Sequence, residues 1–230
     1  MDCKYLKVLK SSPLFRNLTE EQIDLFMNAA KSEIITYKKN SFIALSGDPM
    51  KGIGVMLEGH AHLTRENVLG QRAIMTELTE ASMFGEALLF TDTPNWPATI
   101  QTTKASKVLF LPPESFTNLV PGCEPYQTQL LINLLHDLSE KAIVLTRKVH
   151  YLTLKGMRDK IYAYVIDVYK RQGTNPFMLP HNRQEMADVL NVSRTALSRE
   201  LSRLATEEIM YVEGKKVTLL NLEEIEGYNF

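Results

Sequence analysis

A long stretch near the middle of the chain, YQTQLLINLLHDLSEKAIVLTRKVHYLTL, lacks proline and glycine and repeats its leucines at a fixed spacing. Leu131, Leu138, Leu145 and Leu152 lie seven residues apart, with Leu134 beside them. A seven-residue spacing keeps one apolar stripe on a single face of a helix, where it can pack against a second helix. We expect a dimerisation helix in which these leucines contact a second copy of the chain. The alternative is a helix that packs on its own β domain.

Short β-rich runs fill the chain between residues 33 and 111, among them EIITYKK, GIGVMLEG and KVLFL. Turn residues such as glycine, proline, serine and aspartate separate these runs. Many short strands at close spacing are typical of a sandwich or a barrel. We therefore expect a double-stranded β-helix, that is, a cupin-like jelly roll, preceded by short helices over residues 3–32.

The C-terminal stretch NRQEMADVLNVSRTALSRELSRL has the layout of a helix-turn-helix. Ala187 is small enough to let the second helix approach the first, and Asn191 tolerates a left-handed backbone in the turn. The hydroxyl of Ser193 can accept a free backbone N–H and so cap the second helix. The leucines of that helix share the buried face, whereas the predicted exposed face contains Arg194, Thr195, Ser198, Arg199 and Ser202.

The exposed face of this second helix indicates a contact with DNA. An α-helix fits the major groove, where an arginine can donate two hydrogen bonds to guanine and hydroxyl side chains can reach other base edges or phosphates. The next segment, IMYVEGKKVTLLN, is typical of two short strands that form a wing, with Lys215 and Lys216 near its tip. The alternative is an amphipathic helix with a solvated basic face.

The composition is that of a globular protein without a strong overall charge. The chain has 230 residues, of which 44% are hydrophobic and 23% charged, and its net charge is −1. Residues 155–203 contain nine basic and five acidic side chains, whereas residues 204–230 contain two basic and six acidic ones. Cys3 and Cys123 are too few for a disulfide framework or a four-thiolate metal site. No membrane span or signal peptide is evident, so we expect a cytoplasmic protein with no membrane partner.

Together these segments resemble the CRP/FNR family of bacterial transcription regulators over essentially the whole chain. The order GDPMKGIGVMLEGHAHL, then FGEALLF, then VSRTALSRELSRL is similar to that of the family. The resemblance implies an α+β chain with a β-roll effector-sensing domain over residues 1–120, a dimerisation helix over 121–152 and a winged helix-turn-helix over 153–230. It also implies a homodimer on a palindromic double-stranded DNA operator, with RNA polymerase as a candidate partner and no catalytic residue or cofactor.

The resemblance assigns roles to residues of the helix-turn-helix. In family members the cap and start of the first helix touch DNA phosphates, and the second helix reads bases. Many members have glutamate where this chain has Thr195, so we expect a different base pair at that point of the half-site. The implied base-reading residues are Arg194, Thr195, Ser198 and Arg199. The predicted phosphate contacts are Asn182, Arg183, Gln184, Ser193, Ser202, Arg203, Lys215 and Lys216.

The sensing domain departs from the family's cyclic-nucleotide pattern. Gly85 and Glu86 are present, but Trp96 and Pro97 stand where nucleotide-binding members have the Arg-Ser pair that holds the phosphate. Without that buried cation a cyclic phosphate would be poorly compensated, so cyclic AMP is not the expected effector. We expect an aromatic or otherwise apolar small molecule; the alternative is that Trp96 fills the roll and no ligand exists. The predicted pocket residues are Leu57, Ala61, Leu63, Gly85, Glu86, Trp96, Pro97, Ile143 and Val144.

Two other functions fit parts of the sequence. GVMLEGHAHLTRE places His60, His62 and Glu66 at the spacing of the first metal-binding motif of cupins, which would suit an oxygenase-like metalloenzyme. Strand alternation puts Leu57, Ala61 and Leu63 on one face and both histidines on the other, solvent-facing side. Because no later histidine of the β region completes that site, no metal site is expected. The second alternative, a regulatory β-roll subunit of a partner enzyme, leaves the helix-turn-helix without a role.

Overall fold

The computed structural model describes residues 2–66, 72–118 and 124–227. The chain divides into two compact units, residues 1–140 and 141–230, and the dividing point lies within one long helix. Each unit has its own apolar core. The predicted domain boundaries after residues 120 and 152 stay predictions.

Short helices begin the first unit, as expected. They are α1 (Cys3–Ser11), a 3-10 turn (Pro13–Phe15) and α2 (Glu20–Ala29). A capping box begins α2, because the Thr19 hydroxyl accepts from the Gln22 backbone N–H at 3.2 Å and the Gln22 side chain accepts from the Thr19 N–H at 2.9 Å. Two backbone donors at the helix start are thereby satisfied.

The strands of the first unit form the expected β-roll. They are β1 (Glu33–Tyr37), β2 (Phe42–Ala44), β3 (Ile53–Glu58), β4 (Ala61–Glu66), β5 (Arg72–Leu78), β6 (Met83–Phe84), β7 (Thr99–Thr102) and β8 (Ser106–Leu111). Within the described residues, one sheet has the strand order β1-β8-β3-β6 and another has the order β2-β7-β4-β5, with antiparallel pairing. The narrower assignment as a cupin-like double-stranded β-helix stays a prediction.

Strand β3 lies between two apolar cores. Leu57 packs in the core that contains α1 and α2, whereas the neighbouring Met56 packs in the roll interior with Ala61. The prediction that Leu57 shares a face with Ala61 and Leu63 is therefore wrong. The reason is Gly59, whose φ of 95° lies in a turn between β3 and β4, so that the two-residue alternation is not continuous across it.

The long helix α4 (Glu124–Thr153) packs on the first unit through one face of its first half; α3 (Glu114–Thr117) precedes it. Leu130 and Leu134 are buried in the core that contains α1 and α2. The buried amide of Asn133 donates to two backbone carbonyls beside the 3-10 turn, at 2.8 and 2.7 Å. The structure thus contradicts the prediction that Leu134 contacts a second chain, because its own domain buries that side chain.

The second unit contains the predicted helix-turn-helix and wing. Its elements are α5 (Met157–Gln172), β9 (Phe177–Met178), α6 (Arg183–Leu190), α7 (Arg194–Thr206), β10 (Met210–Glu213), β11 (Lys216–Leu219) and α8 (Leu222–Gly227). Gly173, with a φ of 67°, ends α5. The segment TNPFMLP, which reads as a loop, contains β9, and Phe177 pairs with Val217 of β11. Residues 177 and 178 thus form a strand by hydrogen bonding to the wing, although the composition of the segment TNPFMLP does not indicate one.

None of the helices within the described ranges combines the length and the apolar character that crossing a bilayer requires.

Candidate nucleic-acid interface

Side-chain caps determine where the two helices of the helix-turn-helix begin. The Asn182 carboxamide oxygen accepts from the backbone N–H groups of Gln184 and Glu185 at 2.9 and 3.0 Å. Ser193 Oγ accepts from the backbone N–H of Ala196 at 3.2 Å, which confirms the predicted cap of α7. Between the helices, Asn191 has the expected left-handed backbone, with φ 51° and ψ 55°.

Packing determines which face of α7 is exposed. Leu197, Leu201 and Leu204 are buried, and α7 contacts α5, α6 and β10. The opposite face is left to solvent, as the leucine spacing predicts. The residues on it are Arg194, Thr195, Arg199, Ser202 and Arg203, which are exposed, and Ser198, which is half-buried.

The two predicted base-reading arginines have no partner within the part of the chain that the structure describes. Neither Arg194 nor Arg199 forms an ion pair or a side-chain hydrogen bond there, whereas Arg203 lies 3.4 Å from a carboxylate oxygen of Glu200. Two unpaired guanidinium groups on one exposed helix face can bind phosphates or donate two hydrogen bonds each to guanine.

An ion-pair network on the other side of α7 was not predicted. Arg158 of α5 donates to Glu200 at 3.0 Å and lies 2.8 Å from a carboxylate oxygen of Glu207. The hydrogen bond from Arg158 lowers the pKa of Glu207, and the hydrogen bond to Glu207 raises the pKa of Arg158. The sequence separation of 42 residues and more hides these pairs from any local pattern. Both acidic residues are thus paired with Arg158, and neither pairs with Arg194 or Arg199.

A concave surface joins the cap of α6, the start of α7 and the tip of the wing. This cleft of about 420 Å³ is lined by Asn182, Arg183, Gln184, Arg194, Gly214 and Lys215. Five of these residues come from the predicted DNA contacts, although they lie in three separate segments of the sequence. Lys216 is exposed outside the cleft, on β11.

Hydrogen bonds hold the basic side chains at the edge of this cleft. Arg183 donates to the Val212 carbonyl of the wing at 3.3 Å, and Lys215 donates to the Pro180 carbonyl at 2.8 Å. These bonds tie the wing to the segment before α6. A backbone phosphate in the cleft would meet two oriented cations.

The predicted effector residues divide between several places. Trp96 is only 5% exposed and packs in the roll interior with Ala61, and Leu63 lies beside that cluster. A Cβ atom at Gly85, whose φ is 87°, would lie 2.8 Å from Cη2 of the indole. The Trp96 ring is thus in close contact with the Gly-Glu segment. Of the other predicted pocket residues, Glu86 is buried, Pro97 is exposed, and Leu57 packs in the other core.

The second half of α4 exposes an apolar stripe. Leu145 and Leu152 of the predicted dimer contact are exposed, whereas Leu131 and Leu138 are half-buried against the core of the first unit. Leu135, Ala142 and Val149, also exposed, alternate with the seven-residue series at steps of three and four. We call the set Leu135, Leu138, Ala142, Leu145, Val149 and Leu152 the α4 stripe. Ile143 and Val144, predicted for the effector pocket, are exposed in the second unit and lie outside this stripe.

Comparison with known proteins identifies two domains in the chain. Residues 34–121 match the model of the cyclic nucleotide-binding domain, and residues 149–228 match that of the Crp-like helix-turn-helix domain. The probable transcriptional regulator flp of Lacticaseibacillus casei is 24% identical over 220 residues, which cover 94% of this chain and 95% of that protein. The cyclic AMP receptor protein of Thermus thermophilus is 27% identical over 223 residues, covering 94% and 98%.

Solved structures show the same fold. The crystal structure of the Thermus thermophilus catabolite activator protein aligns with a TM-score of 0.55 at 23% identity and covers 94% of this chain and 97% of that one. The fold of this chain therefore agrees with the two domains that the family models identify.

The Arg158–Glu207 contact predicts a pH-dependent stability of the second unit. The pKa of Glu207 in the folded protein lies below its ordinary value of 4.5. The contribution of Glu207 to the free energy of unfolding is therefore fully present above pH 4.5, and it is lost as the pH falls through the lowered pKa. We expect Arg158→Met to lower the free energy of unfolding near neutral pH. The difference from the wild type should shrink as the pH falls below 4.5. Urea unfolding, followed by far-UV circular dichroism, measures the free energy of unfolding of both proteins at each pH.

Lys170→Met provides the matched control, because Lys170 is an exposed cation on the same helix. It should change stability little at any pH. An Arg158→Met deficit that stays constant on acidification would show that the carboxylate charge does not contribute through this contact.

Proposed function

Because this chain belongs to the CRP/FNR family of bacterial transcription regulators, we propose that it binds a palindromic double-stranded operator as a cytoplasmic homodimer. DNA binding is a property of the family and of its helix-turn-helix. The observation that supports the proposed binding mode is the cleft between α6, α7 and the wing, next to the unpaired Arg194 and Arg199. RNA polymerase is a further proposed partner.

The cleft suits the DNA backbone, and the α7 face beside it suits the bases. Phosphate contacts from the cap and start of α6 (Asn182, Arg183 and Gln184) and from Lys215 would orient the domain. Residues of the first turns of α7 would then enter the major groove. Arg194 and Arg199 reach guanine in this arrangement, while Thr195 and Ser198 supply short hydroxyl donors and acceptors. The remaining proposed phosphate contacts are Ser193, Ser202, Arg203 and Lys216.

The α4 stripe is the proposed contact between two copies of the chain. Its residues follow one another at steps of three and four over about two and a half heptads, which is the pattern of a two-stranded coiled coil. Isologous pairing of two identical helices gives a two-fold axis. Each copy would then present one α7, which matches a palindrome whose half-sites lie about one helical turn apart.

We propose that the effector is an apolar or aromatic small molecule and not cyclic AMP. The Thermus thermophilus relative is a cyclic AMP receptor protein. In this chain Trp96 and Pro97 stand at the place of the Arg-Ser pair of nucleotide-binding members, and the indole lies against Gly85. A cyclic phosphate would have to displace a buried aromatic ring without gaining a buried cation. The proposed effector acts near Trp96, shifts α4 and the break at residues 152–154, and has different affinities for two arrangements of the dimer.

An enzymatic role and a subunit role are not favoured. The relatives reported above are transcription regulators, and a regulatory subunit would leave the cleft and the exposed arginines without a ligand. We propose that the chain has no catalytic activity.

Arg199→Ala should reduce sequence discrimination. Loss of a bidentate contact to guanine costs about 1–3 kcal/mol on the operator and little on unrelated DNA. The operator is first selected from a random duplex library, and fluorescence anisotropy then compares operator and random duplexes at one salt concentration. Arg203→Ala is the control, because loss of a phosphate contact should weaken both duplexes about equally. Equal losses for Arg199→Ala would assign Arg199 to the backbone instead.

Val149→Asp should dissociate the dimer and weaken operator binding. Val149 and Val144 are valines on the same helix, and both are 58% exposed, but only Val149 belongs to the α4 stripe. A buried aspartate would be unpaired in the seam, whereas Val144→Asp would leave it in solvent. Analytical ultracentrifugation measures the dissociation constant of each variant. If both variants or neither became monomeric, the stripe would not be the dimer contact.

Trp96 emission should report effector binding, because it is the only tryptophan of the chain. A thermal-shift screen of metabolites identifies binders, and those that alter operator affinity should also shift the Trp96 emission. Cyclic AMP should change neither the emission nor the operator affinity. Tighter operator binding with cyclic AMP would refute the proposed effector class, and active metabolites that leave the emission unchanged would refute the pocket.

A further inference from the structure

Two histidines and a glutamate meet on the outer face of the sheet that contains β4 and β5. His62 and Glu77 are direct partners across these two strands, and His60 lies in the turn that precedes β4. Nε2 of His60 lies 3.7 Å and Nε2 of His62 lies 3.8 Å from the two oxygens of the Glu77 carboxylate. One potential ligand atom from each residue lies within 4.8 Å of the other two.

The two imidazoles lie near the Glu77 carboxylate without a hydrogen bond to it. A nitrogen-to-oxygen distance of 3.7 Å exceeds that of a hydrogen bond, so the carboxylate is not simply bonded to either ring. The two imidazoles are edge to face, with centroids 5.1 Å apart. Both rings are half-buried, at 21% and 27% exposure, whereas Glu77 is 64% exposed and can move toward them.

A second group orients the His60 ring. Its Nδ1 lies 2.5 Å from Oγ1 of Thr103, and that hydroxyl can donate to the His60 backbone carbonyl at 3.3 Å. With the Thr103 proton used in this way, Nδ1 of a neutral His60 is the donor and Nε2 has the free lone pair, which faces Glu77. Fixing one ring nitrogen so that the other points at the ion is the usual outer-shell arrangement of a metal-binding histidine.

We propose that His60, His62 and Glu77 bind a divalent transition-metal ion, with Zn²⁺ as the reference ion. Two imidazole nitrogens and one carboxylate oxygen are a suitable donor set for such ions, and water completes the coordination. Tetrahedral Zn²⁺ places neighbouring ligand atoms about 3.3 Å apart. One ligand atom from each of the three residues lies within 4.8 Å of the other two, so the side chains would have to approach one another by up to about 1.5 Å. The ion would connect β4, β5 and the turn before β4.

This site differs from the one that the cupin-like spacing suggests. Glu66, the carboxylate of that spacing, is at the last position of β4 and pairs with Arg72 at 3.1 Å. Glu77 comes instead from the neighbouring strand. Substituting Glu66 and Glu77 separately therefore shows which of the two carboxylates belongs to the metal site.

The test measures Zn²⁺ binding to metal-free full-length protein by isothermal titration calorimetry. We expect one ion per chain, and a loss of affinity of about tenfold or more in both His62→Ala and Glu77→Gln. Glu66→Gln and His136→Ala, which change an exposed carboxylate and an exposed histidine elsewhere, should bind as the wild type does. Zn²⁺ should also raise the melting temperature measured by Trp96 fluorescence in the wild type but not in Glu77→Gln.

Thr103 is proposed as a positioning residue, and its test separates orientation from folding. Thr103→Val should weaken Zn²⁺ binding without lowering the melting temperature of the metal-free protein to the same degree, and Thr103→Ser should restore the affinity. Absorption of Co²⁺ in place of Zn²⁺ reports whether imidazoles coordinate the ion. Unchanged affinity in both His62→Ala and Glu77→Gln, or an equal loss in His136→Ala, would overturn the site. These experiments measure metal binding only, so their outcome neither supports nor contradicts the proposed DNA binding.

Discussion

The burial of Leu197, Leu201 and Leu204 is the interaction on which the DNA-binding unit depends. Burying one leucine side chain contributes about 1.5–3 kcal/mol, whereas an exposed ion pair contributes about 0–1 kcal/mol. Apolar packing therefore determines the rotation of α7 about its axis. Once that rotation is set, Arg194 and Arg199 point into solvent because no other face is left for them.

The same constraint acts on α4, which has two apolar faces instead of one. Leu130 and Leu134 pack into the first unit, and the Asn133 amide satisfies two backbone carbonyls beside them. A helix of this length cannot bury its whole circumference in one small domain. Most of the α4 stripe remains exposed, and a second copy of the chain is the partner that its seven-residue spacing suits.

Strand β4 separates two different chemistries through the alternation of its side chains. Ala61 and Leu63 face the roll interior, where Trp96 packs, whereas His62 faces outward beside Glu77. No lysine or arginine is buried among the described residues of the first unit, so the fold of a nucleotide-binding domain does not by itself imply a cyclic phosphate ligand. The outer face has a donor set that suits a metal ion. The two proposed sites thus occupy opposite faces of one strand.

Features that depend on neighbouring residues could be predicted from the amino-acid sequence: the β-roll region, the long helix, the wing, the cap at Ser193 and the exposed face of α7. These follow from periodicity and from side chains that bond to backbone groups two or three residues away. Tertiary structure decided the rest, because it depends on residues far apart along the chain. It assigned Leu134 to the domain core, moved Leu57 out of the roll, replaced Glu66 by Glu77 beside the histidines, and brought Arg158 to Glu207. A turn or a packed helix can change the partner of a side chain without changing the local pattern that predicted it.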